Sequence, residues 1–146
     1  MAVRIDYATV DDEPAIVQLV TINALPLDGL PDCLGTAIVA RLDGRVVGCA
    51  ALELYPDGAL LRSVAVDADV RSRGIGRQLT EAALDLAERR AVPAVYLLTT
   101  TAEAFFRRLG FNRLERGDVP ATVRESVEFR SACPASAIAM GREFSA

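Results

Sequence analysis

The sequence predicts one α/β (α+β) domain, a mixed sheet layered against helices. Three observations carry the prediction. Apolar runs of strand length recur along the chain and are punctuated by Gly, Pro and Asp turns. Two of these runs, 36–42 and 45–55, are joined by Asp43-Gly44, a strong short-range hairpin signal. A further run, Leu60 to Val66, leads through a glycine-containing turn into an amphipathic segment and then another strand. At 146 residues, of which 51% are hydrophobic, the chain has the size of one domain and can bury a substantial core.

The elements follow in order. Val3 to Ala8 alternates as a short strand. Thr9-x-x-Asp12 reads as a helix start, with acidic residues in the first turn of a helix from about 11 to 22. Residues 24–35 are rich in Pro, Gly and Asp and read as irregular chain or a short helix between loops. After the hairpin, Pro56-Asp57-Gly58 turns the chain into the Leu60 strand. A helix from Gly74 to about Arg90 carries Leu79, Ala82, Ala83, Leu86 and Ala87 as its buried stripe. Ala94 to Thr99 is a strand, Ala102 to Leu109 a short helix ended by Gly110, and Phe111 to Glu115 another strand. The tail reads as a helix near 120–126 and a last strand near 136–143.

Composition excludes several functions. There is no histidine, so neither a His-ligated metal nor a His general base is available. The three cysteines (Cys33, Cys49, Cys133) are odd in number and widely spaced, which argues against a disulfide framework and a zinc site. A net charge of −4 disfavours nucleic acid as a partner. No apolar run approaches the ~20 residues of a membrane span, and acidic residues at positions 6 and 11–13 interrupt any leader pattern. The expected location is the cytoplasm.

The most telling segment is Arg71-Ser72-Arg73-Gly74-Ile75-Gly76-Arg77, which ends a strand and opens a helix. A helix N-terminus offers unpaired N–H groups and the positive end of the helix dipole to an anion. The glycines admit a large anion to the backbone, and the arginines add charge. A dinucleotide fingerprint needs a third glycine where Leu79 stands, and a P-loop needs a lysine in a chain that has none.

Arg71-x-x-Gly74-x-Gly76 resembles the Arg/Gln-x-x-Gly-x-Gly/Ala signature of the GNAT N-acetyltransferases. A second stretch, Ala102-Glu103-Ala104-Phe105-Phe106-Arg107-Arg108-Leu109-Gly110-Phe111, resembles that family's A-x-x-[FL]-Y-x-x-x-G-F motif. The element order matches along the whole chain. This resemblance implies a GNAT fold, with a central, mostly antiparallel mixed sheet of 6–7 strands and helices on both faces. It also implies acetyl-CoA as co-substrate, its pyrophosphate in the turn at Arg71, Ser72, Arg73, Gly74, Ile75, Gly76 and Arg77. In GNATs the fourth strand commonly carries a bulge and splays from the fifth, so that backbone groups pair with pantetheine. Carried over, Val64, Ala65 and Val66 make those contacts, and the Val66 N–H is the oxyanion donor. Thr100, at the end of the fifth strand, is a further contact to CoA. Phe106 occupies the position usually held by a Tyr general acid and cannot donate a proton. The sequence itself is silent on oligomeric state; GNATs are often dimers, and the resemblance leaves a homodimer open.

Amine acetylation also needs a proton acceptor and a means of holding the acceptor molecule. Glu53, an acidic residue within an apolar strand, is the expected base, with a solvent-facing strand end as the alternative reading. Arg62 either grips a substrate carboxylate or pairs with Glu53 across adjacent strands. Segments 50–55, 61–66, 96–103 and 126–137 resemble the arsenic-resistance-associated GNATs, some of which acetylate the α-amine of arsenic-containing glutamate analogues. That resemblance implies a small amine substrate, with Ser63, Ser126 and Cys133 near the acceptor end. A general amino-acid N-acetyltransferase and a non-catalytic acyl-CoA sensor are the alternatives.

Overall fold

The computed structural model describes residues 3–144. Seven strands are present: β1 (Val3–Tyr7), β2 (Ala37–Leu42), β3 (Arg45–Tyr55), β4 (Gly58–Val66), β5 (Ala94–Thr99), β6 (Asn112–Leu114) and β7 (Ile138–Glu143). They form one sheet in the order β1-β2-β3-β4-β5-β7-β6. Every neighbouring pair is antiparallel except β4 and β5, which run parallel. The helices are α1 (Glu13–Ile22), α2 (Ile75–Arg89), α3 (Glu103–Arg108) and α4 (Ala121–Arg124).

Side-chain alternation along the strands divides the core between the two faces of the sheet. On one face Leu79, Ala83, Leu86 and Ala87 of α2 and Phe106 of α3 pack on Leu52, Leu61, Val95 and Leu97. On the other, Ile16, Leu19 and Val20 of α1 cover Val39, Cys49 and Ala51. Val119 and Val123 cover Leu60, Tyr96 and Ala139 on β4, β5 and β7. The expected α2 stripe is buried except for Ala82, which is only half-buried, and the stripe widens to include Ile75, Thr80 and Leu84.

The hairpin turns at Asp43-Gly44, where both residues take positive φ (53° and 79°), as a two-residue primed turn requires. At the start of α1 the Thr9 N–H donates to the Asp12 carboxylate at 2.8 Å. Arg41 of β2 then grips Asp12 with two hydrogen bonds, NH1 at 2.9 Å and NH2 at 2.7 Å, and gives its Nε to Asp6 at 3.1 Å. One guanidinium thus ties β1, β2 and the head of α1. Its bonds hold the Asp12 carboxyl down at about 2.

The C-terminal third departs from expectation. The helix is confined to Ala121–Arg124 and the last strand to Ile138–Glu143. Between them, residues Glu128–Ala132 form a π-helical turn that no local pattern announced. Arg116 holds the chain after this turn by donating to the carbonyls of Pro134 (3.1 Å) and Ala137 (2.9 Å), with its guanidinium over the Phe129 ring.

Candidate active site

β4 and β5 are paired only at Ala59–Val95 and Leu60–Tyr96. β5 stays bonded to β7 as far as Thr99 and β4 to β3 as far as Val66, so the two strands part after Leu60 while each keeps its other neighbour. A register shift between Cys49 and Ala51 marks a bulge in the β3–β4 ladder, and Ser63 on β4 takes a left-handed φ of 58°. The Cys49 thiol donates to the Ser63 carbonyl at 3.2 Å. Burial pushes that thiol up to about 12, which keeps it a donor at neutral pH.

The parting opens a groove of about 720 Å³. Its β4 wall is Arg62, Ser63, Val64, Ala65 and Val66, and Leu97–Thr101 line the opposite side. The Asp67 N–H donates to the Val47 carbonyl at 2.8 Å, which makes Gly48 and Val66 a non-hydrogen-bonded pair. The N–H and C=O of Val66 therefore face the parting, and Arg71 Nε approaches that carbonyl at 3.4 Å. Ala65, in the next pair opposite Cys49, turns its backbone groups to β3. Ala65 lines the groove, but its backbone groups are turned away from the parting, unlike those of Val66.

At one end of the groove α2 begins. Gly74 precedes it at φ 76°, a conformation suited to glycine, and the first-turn N–H groups of the helix have no intrahelical acceptor. A Cβ on Gly76 would meet the Phe105 ring at 3.4 Å, ordinary van der Waals contact, so packing alone does not demand glycine there. Ser72, Gly74, Ile75, Gly76 and Arg77 line this end, together with Arg71, whose NH2 donates to Asn23 Oδ1 at 2.6 Å. Arg73 is exposed and does not line the groove, while Arg108 joins the lining from α3. Thr100 and Phe106 also line the groove. Phe106 packs edge-to-face on Phe105 and Phe111, with centroids 5.0 and 5.7 Å away.

At the other end lies a buried charged centre. The Arg62 side chain is 0% exposed. Its NH1 donates to Glu53 Oε2 at 2.8 Å and to the Asp28 carbonyl at 2.5 Å, its NH2 to the Pro26 carbonyl at 3.0 Å, and its Nε to Ser63 Oγ at 3.2 Å. Burial works against this cation, yet Glu53 and Glu128 hold its pKa above the ordinary arginine value. Of the two readings of Arg62, the cross-strand ion pair is the one present. Glu53 opposes Leu60, so Arg62 two residues on is its diagonal neighbour on the same face.

Glu53, the expected base, does not line the groove. It borders a second cavity of about 540 Å³, where its Oε1 accepts a hydrogen bond from the Tyr55 hydroxyl. Ser126 likewise lines that second cavity and is buried, its Oγ accepting from the Phe129 N–H at 3.4 Å. Cys133 does line the groove. Beside it is a residue that no sequence signal singled out, Glu128 of the π turn. Its side chain is 5% exposed, its carboxylate lies 3.5 Å from Arg62 Nε, and the residue borders the groove. Burial raises its pKa, against the opposing pull of Arg62. Burial, and then the charge of Glu128, push the Cys133 thiol up to about 12. Among the described residues no cluster of His, Cys, Asp and Glu is arranged to hold a metal ion. No helix among them is long and apolar enough to cross a membrane.

A family model described as an acetyltransferase (GNAT) domain matches residues 34–113, from the turn before β2 into β6. The chain belongs to the GNAT acetyltransferase family. An amino-acid acetyltransferase of Mannheimia succiniciproducens is 30% identical over 138 residues, 86% of this chain but only 31% of that protein. The GNAT chain thus spans less than a third of that curated relative's length. Among solved structures, Rv2747 from Mycobacterium tuberculosis, in complex with CoA and NLQ, matches with a TM-score of 0.84 at 29% identity. That match covers 97% of this chain and 99% of the other. N-acetylglutamate synthase from Neisseria gonorrhoeae, complexed with coenzyme A and N-acetyl-glutamate, shares the fold at a TM-score of 0.85 and 21% identity. It covers all of this chain and 36% of that one.

Proposed function

We propose that this GNAT chain transfers the acetyl group of acetyl-CoA to the α-amine of an amino acid, by direct attack in a ternary complex. The observation that carries the reading is the groove itself. It has a cationic, N–H-rich turn at one end, an exposed strand edge along its length and a buried anionic residue at the other end. The turn at 71–77 suits the pyrophosphate, with Arg71 and Arg77 adding charge. The β4 edge suits the amide-bearing pantetheine, as a strand accepts a strand. In this reading the Val66 N–H, aimed into the parting, stabilises the oxyanion that forms on the thioester carbonyl.

The amino-acid part of the reading is supported by the relatives named amino-acid acetyltransferase and by the charge of the acceptor end. Arg62 carries one positive charge against two carboxylates, Glu53 and Glu128, which leaves a net negative centre for an ammonium group. Phe106 cannot protonate the departing thiolate. A thiolate is a good leaving group, and the acceptor nitrogen itself carries a proton to give it.

The test is acetyl-CoA turnover, followed as free thiol, across standard amino acids, their α-N-methylated forms, and phosphinate and arsinate analogues of glutamate. Thiol release that requires a free α-amine is expected. Preference for the arsinate analogue would add the arsenic-resistance role, and preference for glutamate the general one. CoA binding without turnover on any acceptor would replace this reading with that of an acyl-CoA sensor.

A further inference from the structure

Resting on the acetyltransferase reading, we infer that Glu128, carried on the π-helical turn of the C-terminal segment, is the general base that deprotonates the acceptor amine. On this inference Glu53 and Arg62 are positioning residues behind it. The two carboxylates of the charged centre are not equivalent. Glu53 accepts a 2.8 Å bond from Arg62 NH1 and a second from the Tyr55 hydroxyl, so both of its oxygens are engaged and it faces the second cavity. Glu128 meets Arg62 through Nε at 3.5 Å, too long for a strong charge-assisted bond, its other partner is the neutral Cys133 thiol, and it borders the groove. Arg62 is thus largely spent on Glu53 and on the carbonyls of Pro26 and Asp28, and the surplus negative charge resides on Glu128.

Geometry holds the group in place. π-helical turns are rare and concentrate at functional sites, and this one directs Glu128 inward. The Arg116 clasp on Pro134 and Ala137 steadies the chain that follows. The charged and titratable groups around Glu128 are Arg62 from β4, Glu53 from β3, Asp28 from the loop after α1, and Cys133 from its own segment. Burial lifts the Glu128 pKa above the ordinary glutamate value of about 4.3, toward the range in which a carboxylate is an effective base near neutrality.

The step balances as follows. An acceptor ammonium enters beside the Glu128 carboxylate and gives it one proton. The freed nitrogen lone pair forms the C–N bond at the thioester carbon, and the C–S bond breaks with its electron pair on sulfur. The second proton on nitrogen passes to that thiolate, leaving an amide and free CoA. Glu128 returns its proton to solvent once the product has left.

The test uses the whole chain and two classes of acceptor: α-amino acids, whose amines are protonated at neutral pH, and hydroxylamine or methoxyamine, which are already neutral there. Glu128→Gln should lower kcat/KM for amino acids by about 10²-fold or more, leave acetyl-CoA affinity within about twofold, and flatten the acid limb of the pH profile. With the neutral nucleophiles the loss should shrink to a few-fold. Glu128→Asp should restore part of the rate and the acid limb, a readout that a merely structural side chain would not move. An equal loss with both acceptor classes, or an unchanged acid limb, would overturn the assignment while leaving the acetyltransferase reading intact. Absence of turnover in the unaltered chain would instead overturn the reading beneath it.

Discussion

The molecule contains the same charged trio twice, one arginine between two carboxylates, and the two behave oppositely. In the first, Arg41 makes a two-bond grip on the buried Asp12 at 2.7 and 2.9 Å and also reaches the partly exposed Asp6. The ions reinforce one another, and Asp12 is held ionised down to about 2. In the second, Arg62 is wholly buried and bonds one carboxylate closely while standing 3.5 Å from the other. There burial outweighs pairing, and Glu128 is pushed up rather than down. A trio that completes its bonds is a clamp; one that leaves a member under-compensated holds a proton acceptor in reserve.

Substitutions can break this contrast. The largest effect is expected for Arg62→Met, which strands the buried Glu128 and the half-buried Glu53 with no cation. Denaturant unfolding at neutral pH should show a loss of about 3–5 kcal/mol, recovered in part as the pH is lowered and the carboxyls protonate. Asp12→Asn should cost less, about 1.5–3 kcal/mol, and leave acetyl transfer unchanged. Its pH dependence has a definite sign. Asp12 stabilises above its unfolded value of 3.8, and that contribution is lost as the pH falls towards about 2, so wild type and variant should converge in acid. Glu128→Gln should show the reverse trend. A raised carboxyl favours the fold while protonated and works against it once ionised, so the variant should gain on wild type as the pH rises through the Glu128 titration. The smallest change in stability is expected for Arg77→Ala. It removes an exposed i,i+4 pair with Glu81 worth about 0.3–0.5 kcal/mol, yet acetyl-CoA affinity, measured by calorimetry, should fall because Arg77 lines the anion turn.

The legibility of the two trios in the sequence differs for a physical reason. The hairpin, the β4–turn–α2 unit and the capped start at Thr9–Asp12 are local, each specified within about a dozen residues by turn chemistry and periodicity. The groove was therefore readable from Gly74, Gly76 and the β4 run. Glu53 and Arg62 stood out as charges in apolar strands, but whether they meet depends on hairpin register, which the Pro56–Gly58 turn alone does not announce. Glu128 was beyond reach. Its position depends on a π turn held by Arg116 from a remote loop and by packing of Phe129, and no period of the sequence encodes such a turn.

The two-pair seam between β4 and β5 has a mechanical consequence. It divides the sheet into two slabs, β1–β4 and β5–β7–β6, stitched at Ala59–Val95 and Leu60–Tyr96. On the proposed reading, a donor molecule lying along the open edge would act as a surrogate strand, leaving the protein one strand short between turnovers and whole during them. Amide hydrogen exchange at Val64 and Val66 should then report occupancy of the groove directly, slowing when the surrogate is in place and quickening each time it is released.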